Sequence, residues 1–118
     1  MQLDPHDAGR LRDVIAYGEK VRIMVGDMTQ EAFLADTKTA FAVCYGIQVV
    51  GEAAWKISDN LKKANTAIPW PLIAGMRHRL VHDYGRTDET IVYQVATVHL
   101  PTFIKQIRTI LAQHEDAS

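Results

Sequence analysis

Apolar positions recur every three or four residues along most of the chain and nowhere alternate with a period of two beside turn signals. The pattern predicts helices and no sheet. Leu11, Val14, Ile15, Gly18, Val21 and Val25 define a first helix over 5–25, opened by Asp4 as N-cap with Pro5 at the first helical position and closed by Gly26-Asp27. Thr29 starts a short turn carrying Phe33 and Leu34, and Asp36 caps a second long helix. That helix is apolar on more than one side, from Ala40 and Phe41 through Val43, Cys44, Ile47, Val49, Val50, Ala53 and Ala54 to Trp55 and Ile57, and is expected at the centre. Gly51 inside it costs about 1 kcal/mol relative to alanine, so its expected use is the close approach of another backbone.

Residues 58–67 are polar and read as a short helix or turn. Pro69-Trp70-Pro71 then restarts the chain into a third core helix with Ile73, Met76 and Leu80 as its buried stripe, joined by Leu72 and Val81. Gly85 ends it, and Thr87-Asp88 caps the next helix. There Ile91, Val92, Val95, Val98 and Leu100 continue in helical phase until Pro101 kinks or restarts the helix, and Phe103, Ile104, Ile107, Ile110 and Leu111 follow. The expected architecture is an all-α bundle of four main helices, the last kinked or broken near Pro101, with short additional helical turns.

At 118 residues the chain is expected to form a single domain, 1–118. A formal charge of −1 excludes a global basic field, so a nucleic-acid ligand requires a local patch. Arg77, Arg79 and Arg86 against the single acid Asp83 supply one. Cys44 is the only cysteine and lies in the apolar run, which reads as a buried thiol in a reducing compartment. No apolar run approaches the roughly 20 residues of a membrane span, and the expected location is the cytoplasm.

The densest chemistry lies in Arg77-His78-Arg79-Leu80-Val81-His82-Asp83-Tyr84. Imidazole titrates near neutrality and guanidinium matches a phosphate, so the stretch suits phosphodiester binding or cleavage. On a regular helix at about 100° per residue, Arg77 and His82 point roughly 140° apart. They converge only where the helix ends, or where two copies of the motif meet. His82 and Tyr84 are expected in the last turn, where the helix dipole favours an imidazolium. His78 and His82, four apart, also resemble a metal pair, but no glutamate lies between them and two flanking arginines repel a dication. Cys44 sits in the core pattern, Ser58 has no neighbouring base, and no glycine-rich phosphate loop exists. Glu52 has two readings, a solvated or salt-bridged carboxylate and a partner for a motif arginine. His6, His99 and His114 read as structural or exposed.

Arg77, four residues, His82, one residue and Tyr84 resemble the signature of the HEPN superfamily, in its HepT-like branch of ribonuclease toxins paired with a MntA-like minimal nucleotidyltransferase antitoxin. Val49-Val50-Gly51-Glu52-Ala53-Ala54, Ile68-Pro69-Trp70, Gly75-Met76-Arg77, Leu80-Val81-His82-Asp83-Tyr84 and Asp88 fall where that branch has similar residues. The position after the motif arginine, most often asparagine there, is His78 here.

The resemblance implies a homodimer whose motif helices face each other and form a composite RNA-cleaving cleft without metal or cofactor. Within it, His82 would activate a ribose 2′-hydroxyl and Arg77 would stabilise the charge on phosphorus, leaving a 2′,3′-cyclic phosphate. His78 would be the second acid-base or supporting group, and Arg79 and Arg86 would bind RNA backbone. Tyr84 would be the hydroxyl that the antitoxin adenylylates (AMPylation), silencing the toxin by like-charge repulsion of RNA. The alternative is a catalytically inactive helical module that dimerises or binds a nucleotidyltransferase.

Overall fold

The computed structural model of the chain describes the backbone of residues 3–82 and 86–115, and the side chains of residues 3–76 and 88–114. Helix α1 (Pro5–Val25) begins where the Asp4 carboxylate accepts the His6 amide at 2.8 Å, and ends at Gly26, whose φ of +54° suits a residue without a Cβ. Helix α2 (Gln30–Ala35) is capped by Thr29, and α3 (Thr37–Lys56) by Asp36, which accepts from both the amide and the hydroxyl of Thr39. Helix α4 (Asp59–Ala64) is capped by Ser58. Helix α5 (Trp70–Leu80) leads into a two-residue antiparallel ladder of β1 (Val81–His82) with β2 (Arg86–Thr87). Asp88 caps α6 (Glu89–Gln94), a π-helical turn spans Val95–His99, and α7 (Leu100–Glu115) completes the chain.

The architecture is all-α, and the ladder is a local appendage to it. As the apolar pattern required, α3 is central and packs against α1, α2, α5 and α6, while α7 lies on α1. The core gathers Leu11, Val14, Val21, Phe33, Val43, Ile47, Val50, Val92, Phe103 and Ile107, all sealed from solvent, and Cys44 is buried with them. Gly46 is what lets α1 approach α3: a Cβ built there would come within 2.5 Å of Val21 Cγ2. Gly18 plays the same part toward Ile104 on α7. The N-terminus of α1 is fastened to α4 by the buried Asp7 carboxylate, which accepts the Ser58 hydroxyl at 2.6 Å and the Ser58 amide at 2.9 Å.

Pro101 perturbs the last helix upstream of itself. Proline has no N–H for the carbonyl four residues back and its ring crowds that carbonyl, which here belongs to Thr97 inside the π-helical turn. The wider turn advances the phase, so Val98 is 62% exposed rather than part of the buried stripe, and Leu100 takes the inward position. Two other apolar expectations change. Leu72 is surface exposed, and Trp70 and Ala74 stand in the α5 core stripe in its place; Phe41 and Trp55 lie on an outer face of α3.

Candidate functional site

Helix α5 is anchored at its start and released at its end. Trp70 is buried, donates from Nε1 to the Asn65 carbonyl at 3.0 Å and meets Phe103 edge-on at 5.9 Å. Asn65 in turn donates from its amide to the Leu61 carbonyl, so the end of α4 and the start of α5 form one tied corner. Pro71 sits in the first turn, where a missing N–H costs nothing. In the sequence Pro69-Trp70-Pro71 reads as punctuation and Ile68-Pro69-Trp70 as part of the family resemblance, with no core role for the indole. The spacing of Trp70 to Ile73 and Ala74, three and four residues, was the signal that the indole belongs to the core stripe.

Trp70, Ile73, Ala74 and Met76 make the buried side of α5. Position 77 lies seven, four and three residues after the first three of these, and so continues their register, while positions 78 and 79 fall off it. An arginine in the phase of an apolar stripe breaks the local binary pattern, and such breaks concentrate where function overrides packing. Three residues later the helix stops at Leu80.

His82 is therefore not in the last helical turn. It lies in the extended segment β1, and its Cα is paired with that of Arg86 across the ladder. The physical reason is that backbone pairing with Arg86–Thr87 supplies partners that one more helical turn would otherwise have to provide. The helical angle separating Arg77 from His82 no longer applies, because the chain has left the helix between them. The side chains of Arg77, His78, Arg79, His82 and Arg86, and all of Asp83, Tyr84 and Gly85, lie outside the described residues.

Glu52 on α3 forms an ion pair with Lys56 at 3.4 Å, one turn away. Asp88 closes the segment by accepting the amides of Thr90 and Ile91. Among the described residues no group of three His, Cys, Asp or Glu side chains is arranged to hold a metal ion, and no helix is long and apolar enough to cross a membrane.

A match to the HepT-like ribonuclease family spans residues 14–110, and the chain belongs to that family. A Methanocaldococcus jannaschii protein with a provisional RNase name is 29% identical over 106 residues, covering 90% of this chain and 91% of its own. A Thermococcus cleftensis protein provisionally named ribonuclease HepT is 30% identical over 92 residues, covering 78% of this chain and 84% of its own. A Caldanaerobacter subterraneus relative, also provisionally named an RNase, is 27% identical over 72% of this chain and 76% of its own. No solved structure matches the chain.

Proposed function

We propose that the protein is a metal-independent endoribonuclease, the toxin of a HEPN/nucleotidyltransferase toxin–antitoxin pair, acting as a homodimer on cytoplasmic RNA. The observation that carries the reading is the family match across residues 14–110, which contains the whole Arg77–Tyr84 stretch. Departure from the helix between Arg77 and His82 supports it, because a guanidinium and an imidazole on one regular helix would diverge.

In this reading His82 removes the proton of a ribose 2′-hydroxyl. The oxygen attacks the adjacent phosphorus, the 5′-oxygen leaves with a proton from an acid, and a 2′,3′-cyclic phosphate and a 5′-hydroxyl result. Arg77 neutralises the charge that builds on the non-bridging oxygens, a task suited to a fixed planar cation. His78 is the second acid-base candidate, and Arg79 and Arg86 hold flanking phosphates. A positioned general acid or base is worth about 10²–10⁴ in rate. The nucleotidyltransferase antitoxin neutralises the toxin by binding and by adenylylating Tyr84, since added phosphate places negative charge where RNA must lie.

The test is His82→Ala. Growth inhibition and cleavage of a fluorogenic RNA should both vanish while circular dichroism and oligomeric mass stay unchanged. Cleavage at the wild-type rate by this variant would end the ribonuclease reading.

A further inference from the structure

After proline, glycine is the residue that an α-helix interior tolerates least. Gly18 and Gly46 have their reason inside the fold, because a Cβ on either would run into Ile104 or Val21. Gly75 has none there. It stands in the middle of α5, and a Cβ built on it meets nothing within 4 Å among the described residues. Packing therefore leaves the missing side chain unexplained, and the other use of a glycine is to let a ligand come against the backbone. Gly9, in the second turn of α1, shares the open surroundings, so position has to decide which of the two matters.

Gly75 lies on the side of α5 opposite the stripe that Trp70, Ile73, Ala74 and Met76 bury. Pro71 and Leu72, four and three residues before it, are exposed on the same side, and positions 78 and 79, three and four residues after it, share that phase. Along this side an apolar step leads over bare backbone to a histidine and an arginine. The helix stops at Leu80, about 7.5 Å further along the axis, the length of about two stacked nucleotides at roughly 3.4 Å each. His82 follows in β1.

We infer that Gly75 is the floor of the RNA path: a strand whose cleaved linkage lies beyond the end of α5 runs back over this side of the helix, and its sugar–phosphate backbone rests on the main chain at Gly75. The inference rests on the ribonuclease reading above and adds a substrate contact to it. About half or more of protein–DNA hydrogen bonds go to phosphate and sugar, and a helix meets such a backbone closely only where no side chain stands between. A strand fits this side better than a protein surface does. Protein laid over it would take the groups at positions 78 and 79 out of water, whereas phosphate pairs with both. The exposed Leu72, one turn away, offers an apolar rest for a ribose or base.

The test compares Gly75→Ala, Gly75→Leu and the control Gly9→Ala in the full chain. Each replaces a helix glycine where nothing obstructs the new Cβ, so the two alanine variants should melt about 2–6 °C higher and Gly75→Leu no lower than wild type. Binding is read by fluorescence anisotropy with a short 2′-fluoro RNA, which lacks the attacking hydroxyl. Gly75→Ala should weaken it severalfold and Gly75→Leu by about tenfold or more, as overpacking of a fitted contact does, while Gly9→Ala leaves it unchanged. On cleavable RNA the two Gly75 variants should raise KM and hold kcat, since the contact is to a flanking nucleotide and is made equally before and during reaction. The inference is overturned if Gly75→Leu binds RNA as wild type does, or if wild type binds no RNA. It is equally overturned if Gly75→Leu changes the mass measured by light scattering, which would make this side a protein contact. Weakened binding by Gly75→Leu with no cleavage by wild type sinks the ribonuclease reading and leaves the contact; His82-dependent cleavage with KM unmoved by Gly75→Leu does the reverse.

Discussion

His82 and Arg86 are Cα partners across the two-residue antiparallel ladder that follows α5. The pairing holds a titratable ring position and a permanently cationic one at a fixed backbone separation of about 4.5–5.5 Å. In the ribonuclease reading proposed above, a cation there would serve the phosphate next to the one being cleaved. Arg86→Ala should therefore raise KM and reduce the slope of log affinity against log salt by about 1, with kcat little changed. Titrating RNA binding at four salt concentrations checks this; an unchanged slope places Arg86 outside the RNA path.

Asp7 reaches across 51 residues to accept both the hydroxyl and the amide of Ser58. Hydrogen bonds to an ionised group are worth about 1.5–3 kcal/mol, so Asp7→Ala should destabilise by about 2–3 kcal/mol with its buried site left empty. Asp7→Asn keeps the shape but offers one acceptor oxygen, and should fall between. Urea denaturation of the two variants checks the order.

Hydrogen bonds from the Thr39 amide, and then from its hydroxyl, hold the Asp36 carboxyl below its usual pKa of 3.8. The folded pKa is lower than the unfolded one. The contribution is accordingly complete above about pH 3.8 and is lost as pH falls through the lower folded value. Melting temperature measured from pH 6 to pH 2 should drop less steeply at its acid end for Asp36→Asn than for wild type. Thr39→Ala should shift the drop toward higher pH.

Gly46 exists for Val21. Adding a methyl there forces a buried valine on α1 to move, and overpacking of this kind costs about 1–3 kcal/mol. Gly46→Ala should destabilise within that range, and Val21→Ala in the same chain should return part of the loss. Independent, additive penalties in a double-mutant cycle would show that the two positions do not touch.

The bundle was legible in the sequence because its signals are local. Asp4, Thr29, Asp36 and Asp88 cap where their side-chain chemistry says they should, and the apolar stripes of α1 and α7 are buried almost position for position. What escaped was non-local. Phe41 and Trp55 look like core residues by hydropathy, and only the placement of α1 and α5 around α3 decides which arc of that helix stays outside. Gly46 reads as an ordinary interior glycine until Val21 is seen against it. At the candidate site, residue types and spacing pointed to phosphodiester chemistry, while the change from helix to extended chain between Leu80 and Val81 depends on backbone pairing four to six residues further on.

The wide turn at Val95–His99 has a consequence for how this chain can vary in length. In an uninterrupted α-helix His99, seven residues after the buried Val92 and four after Val95, would point inward; the turn instead leaves His99 at the surface and brings Leu100 to the interior. The segment thus absorbs one extra residue, so excising Thr97 or Val98 would close the wide turn into ordinary α-helix and leave Leu100 to Leu111 on their inward face. A deletion there should be better tolerated than loss of Lys105, which would turn the rest of α7 by about 100° and carry its apolar stripe off the core.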